Sequence, residues 1–198
     1  MYYYGFLRAE IWVAAFETVL SHNMLLKLKR TPGIYLVGFM AAGRSTVGRL
    51  LADELGWHFS DLDEDIEAAH GASIAEIFDQ QGEEEFRRIE HEHVRKRIRE
   101  IERGKPMVLA LGGGAFAQEM NRGLLIESGV PIWLDCSLER VRDRLNGSSD
   151  RPLARDSEKL AELYEERRTA YAQADYRIAI ECDDPAEIVA AILKLPIF

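Results

Sequence analysis

The sequence predicts an α/β fold, a parallel β-sheet covered by helices, and two observations carry that prediction. Short apolar runs recur along the chain, and most are followed by a segment with apolar residues at i, i+3 and i+4. Between the first run and its helical partner stands a glycine-punctuated loop, "GFMAAGRS". Such alternation implies βαβ units, whose parallel strands are covered by helices on both faces of the sheet. The 198 residues, 47% of them apolar, with 15 glycines and 6 prolines, suit one domain or one domain with an appendage.

Taken in order, the chain begins with "MYYYGFLRAEIWVAAFETVLSHN", which is apolar and aromatic but interrupted by Arg8, Glu10 and Glu17. It therefore lacks the run of about 20 apolar residues that a transmembrane helix requires. It also lacks the basic start and clean apolar core of a signal peptide. Residues 1–30 are expected to be an extension, either an artefact of a start that belongs at Met24 or a short amphipathic helix that docks on the domain or a partner. Residues 31–198 are the domain proper. Its strands are predicted at "IYLVGF", "WHFSDLD", "MVLALGGG", "VPIWLDC" and "YRIAIEC". Ligands of parallel sheets lie beyond the carboxyl ends of the strands, so the residues after each run are where chemistry is expected.

Charge and cysteines narrow the partners. A net charge of -9 argues against a general nucleic-acid binder, which neutralises phosphates with a basic face. Cys136 and Cys182 have neither zinc-site nor disulfide-framework spacing, which fits a reducing cytoplasm. The expected partner is a small molecule.

Four stretches carry chemistry. "GFMAAGRS" is G-x-x-x-x-G followed by Arg44 and Ser45, opening a helix after a strand; its backbone N–H groups can cradle a phosphate, and the Ser45 hydroxyl can complete Mg²⁺ coordination. In "WHFSDLDEDIE", Asp61 and Asp63 are read as lying on one side of an extended backbone, where they could serve Mg²⁺ hydration and a substrate hydroxyl. Glu64 and Asp65 read as helix capping and dipole partners. The helix of "GEEEFRRIEHEHVRKRIREIER" reads as a mostly solvated face, and His91 and His93, two apart on it, make a poor metal pair. Three glycines in "MVLALGGGAF" imply backbone lying against a ligand. "RLNGSSDRPLARD" is turn-rich, and Arg144 and Arg151 suggest a lid that shields phosphoryl transfer from water.

The series "GFMAAGRSTVGRLLA", "FSDLDEDIE", "SIAEIF", "GEEEFRRIE", "LALGGGAF", "RPL" and "ERRTAY" resembles shikimate kinase, in order, across about residues 33 to 195. The resemblance implies a nucleoside-monophosphate-kinase-like fold with a five-stranded parallel sheet, in a monomer that transfers the γ-phosphoryl of MgATP to the 3-hydroxyl of shikimate. It implies that Asp63 holds the shikimate hydroxyls and helps accept the proton, that Arg87 and Arg167 grip the carboxylate, and that Gly113 offers its amide. Two guanidinium forks suit one planar carboxylate. It further implies that Ala41, Ala42, Gly43, Arg44, Ser45 and Thr46 wrap the ATP phosphates, that Ser45 binds Mg²⁺, and that Asp61 holds the ion through water. Arg151 would swing in to the phosphates, and Arg144 would stack on adenine.

Two departures fall in the phosphate loop, where the family reads G-x-x-G-x-G-K-[ST] and this chain has Ala41 for the middle glycine and Arg44 for the lysine. A Cβ in a left-handed backbone costs about 1–2 kcal/mol. A planar guanidinium is no simple substitute for a compact ammonium. Arg44 thus keeps open a non-catalytic or weakly active ligand sensor on the kinase fold; a kinase for another small polyol acid, such as gluconate, is the remaining alternative.

Overall fold

The computed structural model describes residues 33–146 and 157–198, and in it five strands form one sheet in the order β2-β3-β1-β4-β5, with every neighbouring pair parallel. The strands are β1 Gly33–Val37, β2 His58–Asp61, β3 Met107–Ala110, β4 Val130–Asp135 and β5 Tyr176–Ala179. Each overlaps a predicted run, β1 beginning one residue before its run, and each stops short of that run's end; after β2 the last residues are already helical. The three middle strands are buried along almost their whole length, whereas β2 and β5 at the edges are partly exposed. Burial on both faces explains why β1, β3 and β4 read as continuous apolar runs. The one polar group deep in β1, the Tyr35 hydroxyl, is satisfied by Ser128 Oγ at 3.0 Å, and burial pushes its pKa up to about 12.

The described helices are α1 Arg44–Leu55, α2 Leu62–His70, α3 Ile74–Glu102, α4 Glu119–Ser128, α5 Leu138–Asn146, α6 Ser157–Tyr171 and α7 Pro185–Ile192. α1 packs on the first three strands and on α7, while α3 packs on α2 and α4. Local chemistry sets their starts. Ser73 and Glu76 form a capping box at the head of α3, and Asp184 caps α7 with Pro185 as its first residue. α3 begins eight residues before the charged stretch that predicted it, and its two halves meet at Gly82, where φ 81 and ψ 170 break the helical path. A side chain in that left-handed region would be strained, so the glycine permits the bend.

One expectation is corrected here. Asp63 is not on an extended backbone with Asp61, because Asp61 ends β2 by capping α2: its Oδ1 accepts the Asp63 amide at 3.0 Å, and Asp63 is already helical. The cap converts a strand spacing into a turn, so the two carboxylates serve different neighbours. Glu64 and Asp65 do lie in the first turn of α2, but each is also engaged in an ion pair, Glu64 with Arg49 at 2.5 Å and Asp65 with Arg97 of α3. Among the described residues no helix is long and apolar enough to cross a membrane. Residues 1–30 with Met24, and the stretch expected to form a lid apart from Arg144–Asn146, Arg151 included, lie outside the described residues.

Candidate active site

The phosphate loop leaves β1 at the middle of the sheet. Ala41 takes φ 60, and it is the one residue other than glycine with positive φ among those described. Its place in the left-handed region is the strain foreseen for a Cβ there. α1 then starts from Gly43 with no side-chain cap and no acidic residue in its first turn. Its first amides and the positive end of its dipole are therefore left for an anion. Ser45 Oγ donates to Asp61 Oδ2 at 2.5 Å, which sets a hydroxyl and a carboxylate side by side as hard oxygen donors suited to Mg²⁺.

Toward β4 and β5 the loop borders a cavity of about 880 Å³, lined by Ala42, Gly43, Thr46, Arg140, Arg144 and Pro185 among others. Arg144 is fixed at its wall: Nη1 donates to the Ala41 carbonyl at 2.7 Å, and Nη2 pairs with Asp183 at 2.7 Å. Arg140 joins the same carboxylate at 3.0 Å. A planar guanidinium held at its edges keeps a face free for stacking.

Toward β2 and β3 the character changes. The three glycines after β3 are explained by close approach: a Cβ on Gly112 would come within 2.4 Å of Asp63 Oδ1, and one on Gly114 within 2.4 Å of Arg87 Nη1. Gly113 lies between them, with Arg167 Nη1 2.9 Å from where its Cβ would be. Asp63, Arg87, Gly113 and Arg167 thus converge, as the motif matches require. Arg87 is held by Glu83 on one side at 3.2 Å and by Glu90 on the other at 3.0 Å. Arg167 lies over the Phe39 ring of the phosphate loop, 5.8 Å from its centroid.

Two further residues belong to this cluster and escaped the sequence reading. Glu90 is 1% exposed and accepts from both Arg87 and Gln118. Burial pushes its carboxyl above the ordinary value, with Arg87 opposing and the nearby Asp63 adding to the rise. Tyr171 donates to the Gly113 carbonyl at 2.5 Å, and its hydroxyl pKa is raised chiefly by burial, against the pull of Arg44 and Arg167. A signal for Glu90 was present: with Phe86 and Val94 it lies on one i, i+4, i+8 line of α3, and all three are buried. His91 and His93 diverge as expected, His91 to Asn121 at 2.6 Å and His93 to its own helix at Ile89.

Known proteins resemble the chain closely. A family model described as shikimate kinase matches residues 40–195. The chain is 44% identical over 161 residues to a shikimate kinase of Persephonella marina, spanning 81% of this chain and 96% of that protein. It is 43% identical over 162 residues to one of Geobacter sulfurreducens, spanning 80% and 87%. Among solved structures, a shikimate kinase from Acinetobacter baumannii in complex with shikimate superposes with a TM-score of 0.77 at 35% identity, covering 86% of this chain and 96% of that one. That from Aquifex aeolicus gives 0.72 at 36%, covering 81% and 94%. A gluconokinase from Sinorhizobium meliloti reaches 0.55 at 18% identity, over 81% and 89% of the two chains, which is a likeness of fold alone.

Proposed function

The chain belongs to the shikimate kinase family, and on that premise we propose that it transfers the γ-phosphoryl of MgATP to the 3-hydroxyl of shikimate. The observation that carries this reading is the convergence of one carboxylate, Asp63, and two guanidinium groups, Arg87 and Arg167, on the glycine backbone after β3, beside an uncapped phosphate loop. The sensor alternative rests on Arg44, which keeps a place within the site rather than leaving it.

Arg87 and Arg167 bind the carboxylate of shikimate as planar forks. Gly113 offers its amide, and Asp63 orients the 3-hydroxyl. As the hydroxyl oxygen bonds to the γ-phosphorus, the bond to the β-phosphate oxygen breaks, ADP leaves with that electron pair, and Asp63 takes the proton. The backbone from Ala41 to Thr46 holds the phosphates, Arg44 faces their charge, and Arg144 stacks on adenine at the cavity wall. Ser45 would hold Mg²⁺, with Asp61 through water, and the ion would supply neutralising charge for the phosphates. Arg151, which lies outside the described residues, is assigned to the phosphates on its motif match alone. Residues 1–30, outside the described residues, are assigned no part in this reaction.

The test is ADP release in a coupled assay with and without shikimate, and with gluconate as a competing acceptor. Release that requires shikimate, with shikimate 3-phosphate as the product, is the expected result. Tight binding of shikimate without turnover would move the reading to a sensor. Turnover with gluconate alone would move it to a related sugar-acid kinase.

A further inference from the structure

Arg44 is a departure from the family's loop, and its guanidinium reaches away from that loop. Its Nη1 donates to the carbonyl of Leu111, the residue that joins β3 to the three glycines. The rest of the fork lies where the two substrate loops meet. The position of a Cβ on Gly113 is 3.9 Å from Arg44 Nη2, 3.9 Å from the Met40 amide nitrogen and 2.9 Å from Arg167 Nη1. Met40 belongs to the phosphate loop and Gly113 to the acceptor loop. Arg44 therefore stands at their boundary, anchored by one of its five N–H donors.

We propose that Arg44 is a tethered clamp: with Nη1 fixed on the Leu111 carbonyl, its remaining N–H edge holds the transferring phosphoryl group at the boundary of the two sites, so that transfer in this chain depends on the guanidinium fork rather than on positive charge alone. This rests on the reading of the chain as a shikimate kinase and deepens it. During transfer, charge spreads over the oxygens of the moving phosphoryl group. A donor already fixed in place stabilises those oxygens without reorganising at the moment of reaction. A lysine at 44 carries its charge on a flexible four-carbon stem. Its ammonium would have to share itself between the carbonyl and the phosphate, so restoring the family's residue removes the tether.

The experiment compares full-length wild type with Arg44→Lys and Arg44→Gln, measuring kcat and both KM values at saturating Mg²⁺, with thermal melts to establish that each variant is folded. The expected result is a fall in kcat of about tenfold to a hundredfold for Arg44→Lys, with both KM values within about threefold of wild type. Arg44→Gln keeps one N–H donor group but no fork and should fall at least as far, so the result does not hang on one variant. An Arg44→Lys enzyme as fast as wild type or faster overturns the clamp, and so does a rise in KM for ATP with kcat unchanged. A wild type inactive toward shikimate sinks the functional reading and the clamp together, whereas an active wild type with an undiminished Arg44→Lys sinks the clamp alone.

Discussion

Around the acceptor loop the polar groups are buried or half-buried and already engaged: Glu90 with Arg87 and Gln118, Tyr171 with the Gly113 carbonyl, Asp63 packed against Gly112. Around the nucleotide loop the reverse holds, with α1 uncapped, Ala41 in the left-handed region, and an open cavity toward β4 and β5. Both departures from the family's loop pattern fall on this second side. The difference teaches where each kind of change is tolerated. In a buried network, deleting one member leaves its partner unsatisfied, whereas in a half-open loop the backbone and solvent absorb part of the loss.

The sharpest way to break this comparison is to delete a guanidinium from the acceptor side. Arg87→Ala or Arg167→Ala should cost roughly 2–5 kcal/mol in kcat/KM for shikimate, because each would leave a desolvated carboxylate without its fork. The KM for ATP should move far less. Equal losses toward both substrates would mean that the two sides are not separately built. Steady-state kinetics with each substrate varied in turn decide it.

A gain of stability is expected on the other side. Ala41→Gly relieves a Cβ at φ 60 and should stabilise the fold by about 1 kcal/mol, less the extra freedom glycine has when unfolded. That is a rise of about 2–4 °C in Tm, read by calorimetry. An unchanged or lower Tm would show that the loop is not strained at this residue.

The subtlest contrast is in pH. Burial raises the Glu90 carboxyl above its ordinary value of 4.5, so the folded chain holds that proton more tightly than the unfolded chain does. The contribution of Glu90 to stability is therefore greatest below the ordinary value and is lost as pH rises through the raised one. Glu90→Gln removes the titration. Its stability relative to wild type should climb as pH rises above the ordinary carboxyl value, measured by urea unfolding at each pH. A pH-independent difference would mean that Glu90 is ionised alike in both states.

The five strands and the glycine loops after β1 and β3 were legible because buried parallel strands and glycine runs leave marks along the sequence itself. Strand order was not, since it depends on pairings between distant segments. Asp63 was read on an extended backbone beside Asp61, whereas the cap formed by Asp61 starts the helix there and sets Asp63 in its first turn. Glu90 and Tyr171 were hidden for another reason. Glu90 sits in a run of charges, where the line it shares with Phe86 and Val94 marks burial, but only its contacts with Gln118 and the glycine loop place it in the site. The tether on Arg44 could not be foreseen, since its partner is a backbone carbonyl and carries no side-chain signature.

The strand order also dictates how the molecule must come together in time. β1 lies at the centre of the sheet, yet neither of its neighbours is adjacent in sequence: Gly33 pairs with Met107, and Ile34 with Val130. Contacts of such long separation require large loops to close before they repay the entropy, which slows folding. During synthesis, at about 5–20 residues per second, β1 must wait for several seconds until β4 has emerged before it can be flanked on both edges. The phosphate loop that follows β1 is therefore among the first functional segments made and among the last to acquire its final shape.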